Sequence, residues 1–203
     1  MSRYLLTVLG DSVSAGWGDP APDGGHRGWV SRFSSMTNLP PRSVHNLAEY
    51  GATVQHAVHH QLPHAVRGKA PLVVAFVGAN DLLASRQHYD AALFQHNLRT
   101  IFDALTGADT IVVTANYPDI PGNLEVSESV RRALRDRFAE ANEALAEIAE
   151  DTGVTCIDLC RPQVWREPTM WDADRLHPGP RLHQHFAEEL VSLTQSSGLF
   201  TAA

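Results

Sequence analysis

The chain has 203 residues, 43% of them hydrophobic, and a formal net charge of −7. A chain of this length can bury one sizeable core, so we predict a single domain over residues 1–203. It has no basic cluster, which argues against nucleic acid as a partner, and no apolar run of the roughly 18 residues that a membrane span needs. The first residues lack a signal-peptide pattern, so we expect a cytoplasmic protein, whose oligomeric state the sequence leaves open.

Five apolar segments predict β-strands along the chain. In order they are Tyr4–Leu9, Ser43–Leu47, Leu72–Val77, Thr110–Ala115 and Val154–Leu159. The third and the fourth contain continuous β-branched or aliphatic runs, which are typical of strands buried on both faces of a parallel sheet. We therefore expect a parallel sheet that is covered by helices.

Helical patterns alternate with these strands. The clearest one runs from Ser127 to about Asp151, a second from about Tyr89 to Leu105, and a third closes the chain after Pro180. Weaker patterns cover Gly28–Met36 and Thr53–Leu62, and Pro63 is expected to end the latter helix. Alternating strands and helices predict an α/β fold, a three-layer α/β/α sandwich around a five-stranded parallel sheet.

Residues suited to catalysis follow the predicted strands. Functional groups of an open parallel sheet gather at the carboxyl ends of its strands. The first strand runs into Gly10-Asp11-Ser12-Val13, the second into Asn46 through Gly51, and the third into Gly78-Ala79-Asn80-Asp81. The stretch after the fifth contains Asp174-Arg175-Leu176-His177. These four segments supply a hydroxyl, a glycine, an amide and an Asp/His pair.

This set contains what a serine nucleophile requires. Ser12 needs an adjacent base, and His177 can take and return a proton near neutral pH. Asp174 can fix the tautomer of His177 from the same loop. Attack on an acyl carbonyl also develops an oxyanion, for which the Ser12 N–H, the Gly51 N–H and the Asn80 side-chain amide are candidate donors.

The four segments resemble the four sequence blocks of SGNH hydrolases, also called GDSL esterases/lipases. Gly10-Asp11-Ser12-Val13 resembles the block Gly-Asp-Ser-Leu with Val in place of Leu, and Gly78-Ala79-Asn80-Asp81 resembles the block Gly-x-Asn-Asp. Gly51 matches the oxyanion glycine of the second block, and Asp174 to His177 the block Asp-x-x-His. The resemblance implies a flavodoxin-like fold and a serine esterase that hydrolyses a small-molecule ester, thioester or acylated sugar or lipid. It implies an acyl-enzyme and neither metal nor cofactor.

Two other functions share these residues. An acyltransferase would use the same triad but pass the acyl group to an alcohol instead of water. A binding module without catalysis could keep the fold, since fold alone does not decide function. Tyr117 and Trp171, large aromatic residues in loops near strand ends, are candidates for the lining of a substrate pocket.

Several other polar residues have a structural interpretation that competes with a functional one. We expect Asp11 to hold its turn, Asp81 to brace its loop, and Asp172 to be a solvated carboxylate rather than the partner of the histidine. A histidine cluster lies on the predicted helix Thr53–Leu62 and just beyond it. Two of its members stand at the spacing i, i+4 that can bind a metal, but no carboxylate or cysteine stands at ligand spacing within that helix. We interpret the cluster, which comprises His56, His59, His60 and His64, as an exposed helix surface.

Overall fold

The centre of the structure, which is a computed structural model, is a five-stranded parallel sheet. The structure describes residues 4–107 and 109–199, so residues 1–3, 108 and 200–203 of the predicted domain lie outside it. The strands are Leu6–Gly10 (β1), Val44–Asn46 (β2), Leu72–Phe76 (β3), Ile111–Ala115 (β4) and Thr155–Ile157 (β5). Their spatial order β2-β1-β3-β4-β5 is that of flavodoxin-like folds, which confirms the predicted fold class.

Position in the sheet explains the lengths of the strands. Every residue of β1 and β3 is buried, as the continuous apolar runs predict. The edge strands β2 and β5 have three residues each, fewer than predicted, because only part of each edge segment pairs with a neighbour. The register pairs Gly10 of β1 with Phe76 of β3 at the ends of both strands. The residues that follow these two strands therefore emerge side by side.

Helices cover both faces of the sheet. They are Gly28–Met36 (α1), Val54–His56 (α2), Leu62–Gly68 (α3), Ala79–Leu83 (α4), Ala91–Leu105 (α5), Ile120–Asn123 (α6), Glu128–Thr152 (α7) and Pro180–Ser196 (α8). Helix α1 packs on α8, where the rings of Trp29 and Phe186 meet edge to face, whereas α5 packs on α7 and on α2 and α3. Within the described residues, no helix is long and apolar enough to cross a membrane.

The predicted end of a helix at Pro63 is wrong. Residues 54–68 form one helical segment in which a π turn, Ala57–Gln61, separates α2 from α3. The Leu62 N–H bonds to the Ala57 carbonyl, the wider spacing of a π turn. Pro63 therefore falls in the first turn of α3, where a proline needs no N–H and fits the helix.

Candidate active site

The turn after β1 exposes Ser12. A side chain at Gly10 would come within 2.5 Å of Ser14, so the strand can pass into this turn only at a glycine. The Asp11 carboxylate accepts a hydrogen bond of 3.0 Å from the Val13 N–H, which fixes the turn as predicted for Asp11. Ser12 itself is only partly buried, so its hydroxyl can meet a substrate.

Gln61, a residue that the sequence analysis did not single out, fixes the same turn from the other side. Its fully buried side-chain amide accepts from the Gly10 N–H and donates to the Gly10 carbonyl, both at 2.9 Å. Strand β2 pairs with β1 only as far as Val8, so Gln61 provides the acceptor for the Gly10 N–H and shares the Gly10 carbonyl with the Glu49 N–H. A signal existed, because Gln61 lies four residues from the buried Ala57 and Ala65 and is thus polar within a buried stripe.

His177 connects Ser12 to Asp174. The Ser12 Oγ lies 2.8 Å from His177 Nε2, and His177 Nδ1 lies 2.6 Å from Asp174 Oδ2. A carboxylate can only accept, so Nδ1 carries the proton and Nε2 faces Ser12 as an acceptor. Burial alone would raise the pKa of Asp174, but hydrogen bonds from the His177 backbone N–H and imidazole outweigh it, and this pKa lies below its ordinary value. Asp172 contributes its backbone, which bonds to the His177 carbonyl.

The candidate oxyanion donors come from two further segments. Asn80 Nδ2 donates to the Ala52 carbonyl at 3.0 Å, which orients the amide and leaves its second N–H available. Gly51, next to Ala52, has φ +74°, a conformation that favours glycine. The Glu49 N–H in turn bonds to the Gly10 carbonyl. Hydrogen bonds thus join the segments that carry Ser12, Gly51 and Asn80.

Two carboxyl groups, that of the buried Asp11 and that of the half-buried Asp81, support these turns. Asp81 accepts from the Val54 N–H at 2.9 Å, so it braces the loop as predicted. Burial raises the pKa of Asp81 to about 6. Burial also raises the pKa of Asp11 to about 7, and the neighbouring charge of Asp81 adds to this effect. Ionising either group inside the folded protein therefore costs free energy.

An almost wholly apolar cleft adjoins Ser12, and Tyr117 and Trp171 both line it. Val13, which follows Ser12, and Leu176, which precedes His177, also line the cleft. The Tyr117 hydroxyl donates to the Val77 carbonyl at 2.8 Å, and Trp171 Nε1 donates to the Trp165 carbonyl at 3.3 Å. Since both polar atoms have partners in the protein, the two residues offer the cleft their apolar rings.

The histidine cluster lies on the helical segment 54–68. His59, His60 and His64 are exposed and His56 is half-buried. The His56 ring stands 4.5 Å from that of His60, and His56 Nε2 lies 3.3 Å from a Glu49 carboxylate oxygen. Among residues 4–107 and 109–199, no group of three or more His, Cys, Asp or Glu side chains is arranged to hold a metal ion.

His183 is buried and bonds to the backbone of two segments near the site. Its Nδ1 accepts from the Trp29 N–H at 3.2 Å, and its Nε2–H donates to the Trp17 carbonyl at 2.7 Å. Burial lowers the pKa of His183 to about 4, so the ring is neutral at physiological pH. It anchors the loop that carries Trp17, whose ring centroid lies 5.6 Å from that of His177.

The architecture is that of α/β enzymes with functional residues at the carboxyl ends of parallel strands. The chain belongs to the GDSL-like lipase/acylhydrolase family, whose family model matches residues 8–185. It is accordingly a carboxylic ester hydrolase.

Comparison with solved structures finds the same fold. A lipase/acylhydrolase from Enterococcus faecalis shares 21% identity and a TM-score of 0.71, over 98% of both chains. A catalytic mutant of an acetylxylan esterase from Geobacillus stearothermophilus shares 18% sequence identity with a TM-score of 0.71, over 94% of each chain. A psychrotrophic esterase from Pseudoalteromonas sp. shares 17% sequence identity with a TM-score of 0.69, over 94% of this chain and 96% of that one. No curated protein matches the sequence.

Proposed function

We propose that the protein is a serine esterase that works through an acyl-enzyme. Ser12 is the nucleophile, His177 the general base and then the general acid, and Asp174 the residue that orients His177. The Ser12 N–H, the Gly51 N–H and the Asn80 side-chain amide bind the oxyanion. The observation that carries the proposal is the chain of two short contacts, 2.8 Å from Ser12 Oγ to His177 Nε2 and 2.6 Å from His177 Nδ1 to Asp174.

The reaction then proceeds in two halves. As Ser12 Oγ bonds to the acyl carbon, its proton passes to His177 Nε2 and the carbonyl electrons move onto the oxygen. Collapse of this intermediate breaks the bond to the alcohol, which leaves with the proton from His177. A water molecule then gives its proton to His177 and attacks the acyl carbon, and the second collapse releases the acid and returns the proton to Ser12.

The apolar cleft beside Ser12 suits the acyl group. Its walls include Tyr117 and Trp171, and among the described residues that line it only Asp11 has an ionisable carboxyl group. The cleft has a volume of only about 20 Å³, so it suits a short acyl group such as acetyl, which loses its contact with water among the apolar walls. We therefore assign the cleft to the acyl side of the ester.

Substitution of the two reacting side chains tests the proposal. Ser12→Ala and His177→Ala should each lower kcat for phenyl acetate by about 10⁴-fold or more. Ser35→Ala and His59→Ala are matched controls, because both residues are exposed on helical segments away from the contacts described above, and they should retain wild-type rates. Near-normal turnover by Ser12→Ala or His177→Ala would overturn the assignment.

Product analysis separates the alternatives. With wild-type enzyme and an added alcohol, acetate as the main product supports hydrolysis, whereas the new ester as the main product identifies an acyltransferase. Absence of any turnover by the wild-type protein over a graded panel of esters would favour a binding module. The same panel, varied in acyl length, measures how much of the cleft the acyl group fills.

A further inference from the structure

One exposed aromatic ring stands beside His177 and a second stands against the first, and the proposed mechanism uses neither. Trp17 is 39% exposed and Tyr50 is 57% exposed. Their ring centroids lie 5.5 Å apart with the planes at 81°, so the rings form two walls at nearly a right angle. We call this pair the aromatic corner. It adjoins the site directly, since Trp17 lies 5.6 Å from the His177 ring and Tyr50 precedes Gly51.

Several contacts hold Trp17, one member of the aromatic corner, in place. The Trp17 carbonyl accepts from His183, and His26 stacks against the Trp17 ring at 5.1 Å. Gly18 brings this loop so close to the His177 loop that a side chain there would collide with the Pro178 carbonyl. The nearby Asp19 is buried and paired with Arg32 at 2.7 Å. A rigid exposed ring loses little conformational entropy when a ligand stacks on it, which favours binding.

The chemistry of the reaction sets which part of the ester meets this corner. His177 Nε2 must hand its proton to the departing alcohol, so the alcohol oxygen lies within hydrogen-bond reach of this nitrogen as the intermediate collapses. The acyl part extends from the same carbon and, on the assignment proposed above, enters the apolar cleft. The remainder of the alcohol therefore projects past His177 toward solvent, where Trp17 stands.

From this arrangement we propose that the aromatic corner is a subsite for the leaving alcohol and selects alcohols that carry a ring. The shared chemistry is a flat face with C–H or π character, as in an aryl ring or a pyranose, which stacks on Trp17 or Tyr50. The inference rests on the proposed function, because it needs His177 as the acid that protonates the alcohol. It predicts a preference for the alcohol that is independent of the acyl group.

Three acetate esters test the proposal, because they share one acyl group and differ in the alcohol. They are phenyl acetate, a monoacetylated methyl pyranoside and ethyl acetate. The quantity compared is kcat/KM of each variant relative to wild type with the same ester, since kcat/KM reports the steps up to loss of the alcohol. Hydrolysis of the acetyl-enzyme is common to all three esters and should proceed at the same rate in wild type and variants.

Removal of either aromatic ring should lower kcat/KM only for the ring-bearing esters. Trp17→Ala and Tyr50→Ala should each lower kcat/KM for at least one ring-bearing ester by about three- to tenfold, which corresponds to a stacking contribution of about 0.5–1.5 kcal/mol. The value for ethyl acetate should stay within about twofold. Trp17→Phe should restore most of the loss, and Val130→Ala, which removes an exposed apolar side chain on α7, should change nothing. The phenyl and pyranoside arms show which ring the corner accepts.

Two results would overturn the inference. One is an equal fall for all three esters, which would mean that the rings only support the fold of the site. The other is unchanged kcat/KM for both ring-bearing esters in Trp17→Ala and Tyr50→Ala. Failure of the proposed function is separate, because Ser12→Ala would then still hydrolyse the esters, whatever the effect at Trp17.

Discussion

Replacement of Gln61 tests how the strand end positions the nucleophile. Gln61→Leu has nearly the same volume but removes both hydrogen bonds to the Gly10 backbone. The buried Gly10 N–H then has no acceptor, which costs about 1–3 kcal/mol, and the lost second bond costs about 1 kcal/mol. The Gly10 carbonyl keeps a bond from the Glu49 N–H at 3.2 Å. We expect the free energy of unfolding to fall by about 2–4 kcal/mol.

The same change should slow the chemical step in molecules that are still folded. Ser12 follows Gly10 by two residues, and a displacement of a reacting group by about 1 Å costs on the order of 10²-fold in rate. We expect kcat for phenyl acetate to fall about 10- to 100-fold with a smaller change in KM, measured well below the unfolding temperature. Denaturant unfolding measures the accompanying loss of stability.

A matched control separates position from stability. Leu145→Ala empties a fully buried site on α7 and should cost about 2–5 kcal/mol without touching the turn after β1. Its folded fraction should keep the wild-type kcat. If Gln61→Leu loses stability like Leu145→Ala but keeps kcat within about threefold, Gln61 supports only the fold and the reasoning fails.

Three further substitutions test the site. Asn80→Ala should lower kcat by about 10²–10³-fold with little change in KM, and an effect on KM alone would show that Asn80 binds the substrate rather than the oxyanion. Asp174→Asn should lower kcat by roughly 10⁴-fold because the amide favours the wrong tautomer of His177, and a loss below about tenfold would refute this role. Asp11→Asn keeps the oxygen that accepts from the Val13 N–H but cannot ionise. Because burial raises the pKa of Asp11 from 3.8 to about 7, wild type should match this variant in stability below about pH 4 and lose ground to it as pH rises through 7. Denaturation at pH 8 should show the variant more stable by up to about 4 kcal/mol, and a difference that does not depend on pH would contradict the assignment.

Much of the fold was predictable because local patterns and layer position agree. The apolar run of β3 can be buried only in a covered parallel sheet, and the stripe of α7 ends at Gly153, which has φ +72°. The bounds of β2 and β5 were less predictable, since pairing with a neighbour decides where an edge strand ends. The π turn before Pro63 was missed because the sequence pattern assumes α-helical spacing throughout.

The candidate site also contains some residues that the sequence predicts and others that it does not. The segments around Ser12 and Asn80 were predictable, because the topology of a parallel sheet alone brings the carboxyl ends of its strands together. The bonds from Gln61 to Gly10 and the position of Trp17 were not, because they depend on packing between distant segments. The bond from His183 to the Trp17 carbonyl spans 166 positions in the chain, and no local spacing indicates it.

Covalent labelling tests the central claim most directly. A fluorophosphonate reacts with a serine only where a base and an oxyanion site activate it, so peptide mass analysis locates the nucleophile. We predict one adduct, on the peptide that contains Ser12, absent in Ser12→Ala, strongly slowed in His177→Ala and unchanged in Ser35→Ala. An adduct on another residue, or a wild-type protein that remains unlabelled, would contradict the assignment of Ser12 as the nucleophile.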